Sequence, residues 1–383
     1  MDTVAPIKEI SDLIKDKGGS TFQVCYQCGT CDVVCPWNRV RQFSMRKIVR
    51  QAAFGLTEIE GEDIWRCTTC GTCPQRCPRG VNQIELGVSL RRIATEYGVF
   101  PDSVTPIVTV AGSLQAEGNP FNMERAKRGD WAQGLPVKPF TEGMEICYFP
   151  GCYLSYDPRL KKVAAATAKI LDKAGVDFGI LGAEESCCGE SIRKTGNEDL
   201  FKQLARQNIK TWIDKGVKRI LVSSPHCLHT FTKEYPEFNA RFDIVHISQY
   251  LNELFAEGRL KPTKGYEKKL TYHDPCYLGR HNGIFDPPRE VLKQIPGAQF
   301  NELAERRENS FCCGGGGGRI WMETPKEERF SDLRLKQAVD LGAEVLVTAC
   351  PYCITNFTDS SLRLPEGQTI EVKDLTEIVQ EVL

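Results

Sequence analysis

The spacing of apolar residues changes along this chain, and three regimes follow from it. Val40, Phe43, Ile48, Val49, Ala52 and Phe54 recur at roughly helical intervals within VRQFSMRKIVRQAAFGL, which predicts an amphipathic helix. VNQIELGVSLRRIATEYG, after residue 80, reads the same way. From about 101 to 143 the periodicity fades among Pro101, Pro106, Gly112, Gly118, Pro120, Gly134, Pro136, Pro139 and Gly143, so this stretch reads as a linker wrapped on the surface. Beyond it, the short runs ICYF, RILVSS, LTYH and EVLVTA are separated by longer helical stretches. Strands alternating with helices predict parallel α/β sheets.

That last regime is a repeat. EICYFPGC ending at Cys152 corresponds to KLTYHDPC ending at Cys276, ESCCG at 185–189 to SFCCG at 310–314, and RILVSSPHC ending at Cys227 to EVLVTACPYC ending at Cys353. Three landmarks at offsets of 124, 125 and 126 residues identify a duplication. The expected fold class is therefore α+β overall: a mostly helical N-terminal domain over 1–100, a linker over 101–143, and two parallel-sheet α/β copies over 144–262 and 263–383.

With 383 residues the chain has room for two or three domains with cores of their own. A formal net charge of -1 favours neither nucleic acid nor an anionic membrane as a partner. No stretch approaches the ~18 to 20 consecutive apolar residues of a transmembrane segment, and the start, MDTVAPIKEISDLIK, lacks the layout of a signal peptide. A soluble, cytoplasmic protein is expected.

Eighteen cysteines change that bland picture. They sit in tight clusters in a large chain with no export signal, which argues for metal rather than disulfides. Soft thiolates suit iron–sulfur clusters, zinc or copper(I), and spacing decides among them. Two runs, Cys25-x2-Cys28-x2-Cys31-x3-Cys35-Pro36 and Cys67-x2-Cys70-x2-Cys73-x3-Cys77-Pro78, start 42 residues apart. Each is the bacterial two-cluster ferredoxin pattern, in which the fourth cysteine of a run ligates the other cluster. One cubane [4Fe-4S] cluster is thus assigned to Cys25, Cys28, Cys31 and Cys77, and a second to Cys67, Cys70, Cys73 and Cys35. Structural zinc takes separated C-x2-C pairs instead. Nearby Arg39, Arg41, Arg46, Lys47, Arg50, Arg91 and Arg92 offset cluster charge or form a solvated helix face.

In the repeated copies, ligands are expected at the carboxyl ends of the strands, where Cys152, Cys227, Cys276, Cys350 and Cys353 fall. The second copy offers five cysteines, Cys276, Cys312, Cys313, Cys350 and Cys353. A single zinc or a cubane needs four thiolates, so five suggest a larger group with one bridging thiolate, or a spare buried cysteine beside a four-thiolate site. Gly314 to Gly318 follow the ligand pair, and read as backbone clearance around a cluster with amide hydrogens free to bond sulfide.

The order C-x35-CCG-x36-C-x2-C, behind a degenerate first copy and two ferredoxin-type runs, resembles the CCG-domain iron–sulfur proteins. These are heterodisulfide reductase subunits of the D type, or fused C and B types, and their bacterial electron-transfer relatives. The resemblance covers residues 20 to 375 and includes LTYHDPCYLGRHNGIFDPPRE and ENSFCCGGGGGRIWME. It implies a non-cubane [4Fe-4S] cluster on Cys276, Cys312, Cys313, Cys350 and Cys353, with the cubanes relaying single electrons to it. The first copy departs from the family pattern, since Ser224 stands where Cys350 stands in the second. Cys152, Cys187, Cys188 and Cys227 remain, for an iron–sulfur cluster or a zinc. The Ser224 oxygen, His226 or His229 would alternatively complete a modified cluster. Cys147 aligns with Thr271 and reads as core.

His273 and Asp274 precede Cys276 and either tune a bound species or form a structural pair. Arg280, His281 and Arg319 line an anionic pocket or lie in solvent. No residue is assigned as catalytic. Without a nicotinamide or flavin fingerprint, electrons come from a partner, expected to be a flavoprotein. The leading function is an electron-transfer subunit of a cytoplasmic anaerobic oxidoreductase complex. The alternatives are a heterodisulfide reductase-like subunit cleaving a disulfide, and a zinc-bearing scaffold.

Overall fold

The computed structural model describes residues 5–56, 58 and 61–383. Residues 1–4, part of the opening stretch read for a signal peptide, lie outside the described residues. The chain forms two compact units, one of Met1–Ala111, Ser191–Phe201 and Gly314–Phe330, the other of Gly112–Glu190, Lys202–Cys313 and Ser331–Leu383.

The first unit contains no strand among its described residues and is built on helices Lys8–Asp16, Met45–Phe54 and Gln83–Glu96. The periodic pattern is realised in the second of these, which buries Met45, Ile48, Val49 and Ala52. Ser44 caps its start by accepting from the Lys47 amide, and Gly55 ends it at φ 67°, the left-handed conformation glycine adopts without a Cβ clash. Short helices Thr30–Val33 and Thr72–Arg76 carry Cys31 and Cys73. Gly29 and Gly71 precede them with φ of 83° and 81°, so the two cysteine loops turn in the same way.

The second unit holds two parallel sheets, each with helices following its strands. Strands β1 (Lys138–Pro139), β2 (Ile146–Phe149), β3 (Phe178–Ile180), β4 (Arg219–Val222) and β5 (Asp243–His246) form one, in the order β1-β3-β2-β4-β5. Strands β6 (Lys269–Tyr272), β7 (Gln299–Phe300), β8 (Val345–Thr348) and β9 (Glu371–Asp374) form the other, in the order β7-β6-β8-β9. Setting β1 aside, the two orders are the same, so the duplication read from cysteine offsets extends to strand pairing. β2 and β8 are buried at every position, as sheets covered on both faces require. Both copies end alike: His246 caps helix Ile247–Ala256 and Asp374 caps helix Leu375–Val382, each through a reciprocal capping box.

The segment 101–143 differs from the irregular linker expected of it. It contains helix Thr105–Glu117, a 3-10 stretch Arg125–Ala132 and strand β1, which pairs in parallel with β3. Val104, Ile107, Val110 and Leu114 are buried at helical spacing. Pro106 obscured that spacing, yet it sits in the first helical turn, where its missing N–H has no intrahelical partner to lose.

Candidate metal centres

None of the eighteen cysteines is joined in a disulfide. In the first unit, Cys35 lies apart in sequence from the Cys67 run but not in space. Burial first, then the Cys70 sulfur, pushes its thiol upward, with Cys67 adding to the effect. Burial likewise raises Cys73, followed by Cys67, Cys70 and Cys35. Cys31 is pushed up to about 12 by burial, by Asp32 and by Cys25 and Cys28. Cys77 is close enough to Tyr26 to act on its hydroxyl, as Cys28 does. Thiols crowded this way repel one another as thiolates, and a cluster's cationic iron removes that repulsion.

Arg91 departs from the solvated or charge-offsetting role expected of it. Its guanidinium is fully buried and donates to the carbonyls of Ile64, Cys67, Lys194 and Gly317 at 2.8 to 3.0 Å. It ties the Cys67 loop to two segments distant in sequence. Arg319 is corrected too. It is buried in this unit, over the Trp37 ring at 5.6 Å, and donates to the Glu323 carbonyl and the Thr324 hydroxyl. Burial, with Arg66 and Arg91 adding repulsion, lowers its pKa to about 10. It belongs with the Cys67 loop, not with solvent.

The glycine run also has another role than clearance around the Cys312–Cys313 site. A Cβ on Gly316 would lie 2.3 Å from the Thr68 carbonyl oxygen, and one on Gly317 would lie 2.4 Å from that of Cys67. A Cβ on Gly318 would lie 2.3 Å from the Thr195 methyl. Gly314, Gly317 and Gly318 have φ of 93°, 62° and 80°, so here the chain needs glycine for conformation as well as for space. The side chains are stripped away because this run packs on the loop of the second ferredoxin-type cysteines.

In the second unit the four thiols of the first copy form a chain of contacts. Cys152 donates a hydrogen bond to Cys187, Cys187 to Cys188, and Cys188 to Cys227. Arg128, missed because a lone arginine in RAKRGDW carries no pattern, is buried here. Its Nη1 lies 3.5 Å from the Cys152 sulfur and its Nε donates to Glu185 at 3.1 Å. Ser224 is buried just before helix Pro225–His229, as Cys350 is before helix Pro351–Ser361. Cys147 sits fully buried inside β2.

The second copy gathers all five of its cysteines, each buried. Cys276 hydrogen-bonds to Cys312, Cys313 lies 3.3 Å from Cys353, and Cys353 hydrogen-bonds to Cys350. His273 joins them: one ring nitrogen lies within 4.8 Å of the sulfurs of Cys313 and Cys353. His273 and Asp274 do not pair with each other. Arg334, itself buried, donates from Nε to Nδ1 of His273 at 3.2 Å, while Asp274 takes both terminal nitrogens of Arg289 at 2.7 and 2.9 Å and the Arg307 amide at 2.8 Å. Asp274 is thus saturated, a strut for the chain that leads into Cys312. Arg280 serves the same chain by donating to the Ser310 carbonyl at 2.6 Å.

The two copies meet through His226. Its ring stacks on Tyr277 at 4.0 Å and tilts against Tyr352 at 4.3 Å, while Tyr277 stacks on His281 at 4.3 Å. His229 packs edge-on to Tyr277. Burial disfavours the His226 imidazolium, but Glu190 at 3.2 Å and the Cys350 sulfur outweigh it and raise its pKa to about 10. Burial alone would raise Cys350; the neighbouring Cys353 thiol and the His226 ring lower it instead below the ordinary thiol range. A residue of the degenerate copy therefore stabilises a thiolate of the complete one.

Comparison with known proteins agrees with this arrangement. A cysteine-rich domain model, CCG, matches residues 146–232 and again 270–358, and a 4Fe-4S dicluster domain model matches 21–81. The EtfAB:quinone oxidoreductase of Syntrophomonas wolfei is 37% identical over 336 residues, 84% of this chain and 46% of that protein. The probable iron-sulfur-binding oxidoreductase FadF of Bacillus subtilis is 36% identical over 332 residues, with the same coverage. The chain thus spans about half the length of these two relatives. The D-type subunit of the dihydromethanophenazine:CoB–CoM heterodisulfide reductase of Methanosarcina mazei is 32% identical over 390 residues, 94% of this chain and 93% of that one. The chain belongs to the family of iron–sulfur proteins that join a 4Fe-4S dicluster domain to two CCG cysteine-rich domains, the D-type heterodisulfide reductase subunits among them.

Proposed function

We propose that this chain is an iron–sulfur electron-transfer subunit of a cytoplasmic oxidoreductase complex of anaerobic metabolism. Cys25, Cys28, Cys31 and Cys77 hold one cubane and Cys67, Cys70, Cys73 and Cys35 the other. A non-cubane cluster on Cys276, Cys312, Cys313, Cys350 and Cys353 exchanges electrons with them, and a flavoprotein partner sits at the other end of the path. The observation that carries this reading is the gathering of five buried thiols in the second copy, one more than a zinc or a cubane uses. The donor set fits such a group, whose contribution is to take up and release single electrons.

The residues around it have definable work. His226 supplies a hydrogen bond to Cys350, Arg334 orients His273 toward the sulfurs, and Asp274 with Arg280 fixes the approach to Cys312. Tyr277, Tyr352 and Tyr153 pack their rings, with that of His226, between the two copies. In the first copy, Cys152, Cys187, Cys188 and Cys227 hold an iron–sulfur cluster or a zinc, with the buried Arg128 offsetting thiolate charge.

A second reading, a subunit that itself cleaves a thiol disulfide, is favoured by the near full-length match to the D-type heterodisulfide reductase subunit. Anaerobic purification with iron and sulfide counting tests the shared basis. About twelve irons per chain are expected from three four-iron clusters if the first copy holds zinc, rising to about sixteen if it holds a four-iron cluster, and fewer than about eight would sink even the two cubanes. Oxidation of reduced viologen by a heterodisulfide separates the two readings, since only a chain that itself cleaves disulfides turns it over.

A further inference from the structure

The two ferredoxin-type loops have the same spacing but different surroundings. The Cys67 loop is covered by Arg91, by the Gly316–Gly318 run and by Thr195. The Cys25 loop is open. Cys28 is exposed there, and beside it Val24, Tyr26 and Val33 are 46%, 60% and 85% exposed. Apolar side chains bared around a polar rim mark an interaction site more often than chance exposure.

The rim is basic. Arg46, Arg76 and Arg79 are its cations, and Asp32 is the one acid within residues 21–56 and 72–81, while Arg41 and Lys47 are paired with Glu328 and Glu58. Asp32 accepts from the Ser44 hydroxyl at 2.7 Å and the Arg46 amide at 2.8 Å, and its carboxylate lies 3.8 Å from the Arg46 guanidinium. Arg79 reaches the Val24 carbonyl at 3.4 Å, Arg46 flanks Gly29, and Arg76 ends the helix that packs on Thr30–Val33. Part of this positive charge offsets the thiolates beneath. Arg76 and Arg79 are exposed.

We propose that the surface around Cys28, made of Val24, Tyr26 and Val33 inside a rim that includes Arg46, Arg76 and Arg79, is the docking site for an electron-carrier protein with an acidic face around its own cofactor. This rests on the electron-transfer reading above and gives it a port. Redox encounters use small interfaces in which charge sets the encounter rate and a few apolar contacts set the fit. The Cys67 loop, buried under its own chain, offers no such face.

The test uses the purified, cluster-loaded chain and two protein probes of opposite charge. A reduced acidic flavodoxin serves as donor to the chain, and an oxidised basic cytochrome c as acceptor from it. With the unaltered chain, the flavodoxin rate constant falls as salt is raised while the cytochrome rate constant rises. In Arg76→Glu/Arg79→Glu, the flavodoxin rate drops about tenfold or more at low salt, the scale of electrostatic steering, and both salt slopes reverse. At high salt, where charges more than about 3 Å apart are screened, the variant and the unaltered chain converge. A shifted cluster potential would leave their difference in place. Val33→Ser/Tyr26→Ser slows both probes at every salt concentration. Clusters that titrate normally but exchange electrons at rates indifferent to salt and to the reversals overturn the docking site and leave the electron-transfer reading intact. A chain without reducible clusters overturns both.

Discussion

The two CCG copies share strand order, cysteine-pair placement and terminal capping, yet they surround their sulfurs differently. Tyr148-Phe149-Pro150-Gly151-Cys152 in the first corresponds to Tyr272-His273-Asp274-Pro275-Cys276 in the second. Phe149 offers a ring face to the Arg128 guanidinium at 5.5 Å, and Arg128 itself reaches the Cys152 sulfur. His273 offers a nitrogen instead, with its arginine, Arg334, one step further back. The first copy thus puts a full positive charge against four thiols, and the second a polar ring against five. Duplication kept the scaffold, whose core tolerates only matched volumes, while the residues facing the metal diverged. The degenerate copy still contributes His226 to the complete one, so loss of its cysteine at 224 did not make it a passive shell.

The sharpest way to break this comparison is to remove the same sulfur from each copy. Cys313→Ser is expected to cost the second copy its group, about four irons per chain, together with that centre's paramagnetic signal. Cys188→Ser is expected to remove only the metal of the first copy and leave that signal in place. Iron and zinc analysis with low-temperature EPR on both variants decides it. If Cys313→Ser keeps its full iron content, the second copy is not the larger site.

A second large effect separates the glycine run from the cysteines beside it. Gly316→Ala and Gly317→Ala each drive a methyl to within about 2.5 Å of a carbonyl oxygen in the Cys67 loop, and Gly317 also has positive φ. Overpacking of this kind costs about 1 to 3 kcal/mol, and the left-handed backbone adds to it. Thermal unfolding should show the loss, and the spectral change should appear in the cubanes, with the five-cysteine centre unchanged. A change confined to the five-cysteine centre would restore the clearance role that sequence alone suggested for these glycines.

That misreading shows where the sequence is informative. Cysteine spacing named the family, the ferredoxin-type runs and the repeat, because metal ligation fixes residue type and local geometry together. Strand and helix order followed from hydrophobic period. What the glycines touch did not follow, because the Gly314–Phe330 excursion joins a unit whose other parts lie about 120 and 250 residues earlier, and spacing encodes only local geometry. Arg91, Arg128 and Arg334 were illegible for a related reason. A lone arginine on a helix or in a loop looks the same whether it meets water or buried carbonyls, and only the fold reveals the acceptors.

A subtler difference between the copies lies in one hydrogen. Arginine is always a donor, so the 3.2 Å bond from Arg334 makes Nδ1 of His273 an acceptor. The proton of the neutral ring is then on Nε2, which is buried without a protein hydrogen-bond partner. Burial, with the Arg334 charge beside it, holds the ring well below its ordinary pKa and so neutral. With Nδ1 engaged by Arg334 and the proton on Nε2, the ring beside Cys313 and Cys353 has no free lone pair for a metal, and what it offers thiolate or sulfide is a hydrogen bond. Such bonds stabilise the more negative, reduced state of a cluster, and hydrogen bonding to sulfur is one of the levers on its potential. His273→Leu should therefore shift the midpoint potential of the five-cysteine centre downward with iron content unchanged. His273→Gln, whose amide places a donor near the Nε2 position, should recover part of the shift. Phe149→Leu, at the matching position of the first copy, should leave the potential where it was. Equal shifts from His273→Leu and His273→Gln in a potentiometric titration would mean that the ring acts by its bulk, and that the contrast with Phe149 is one of packing alone.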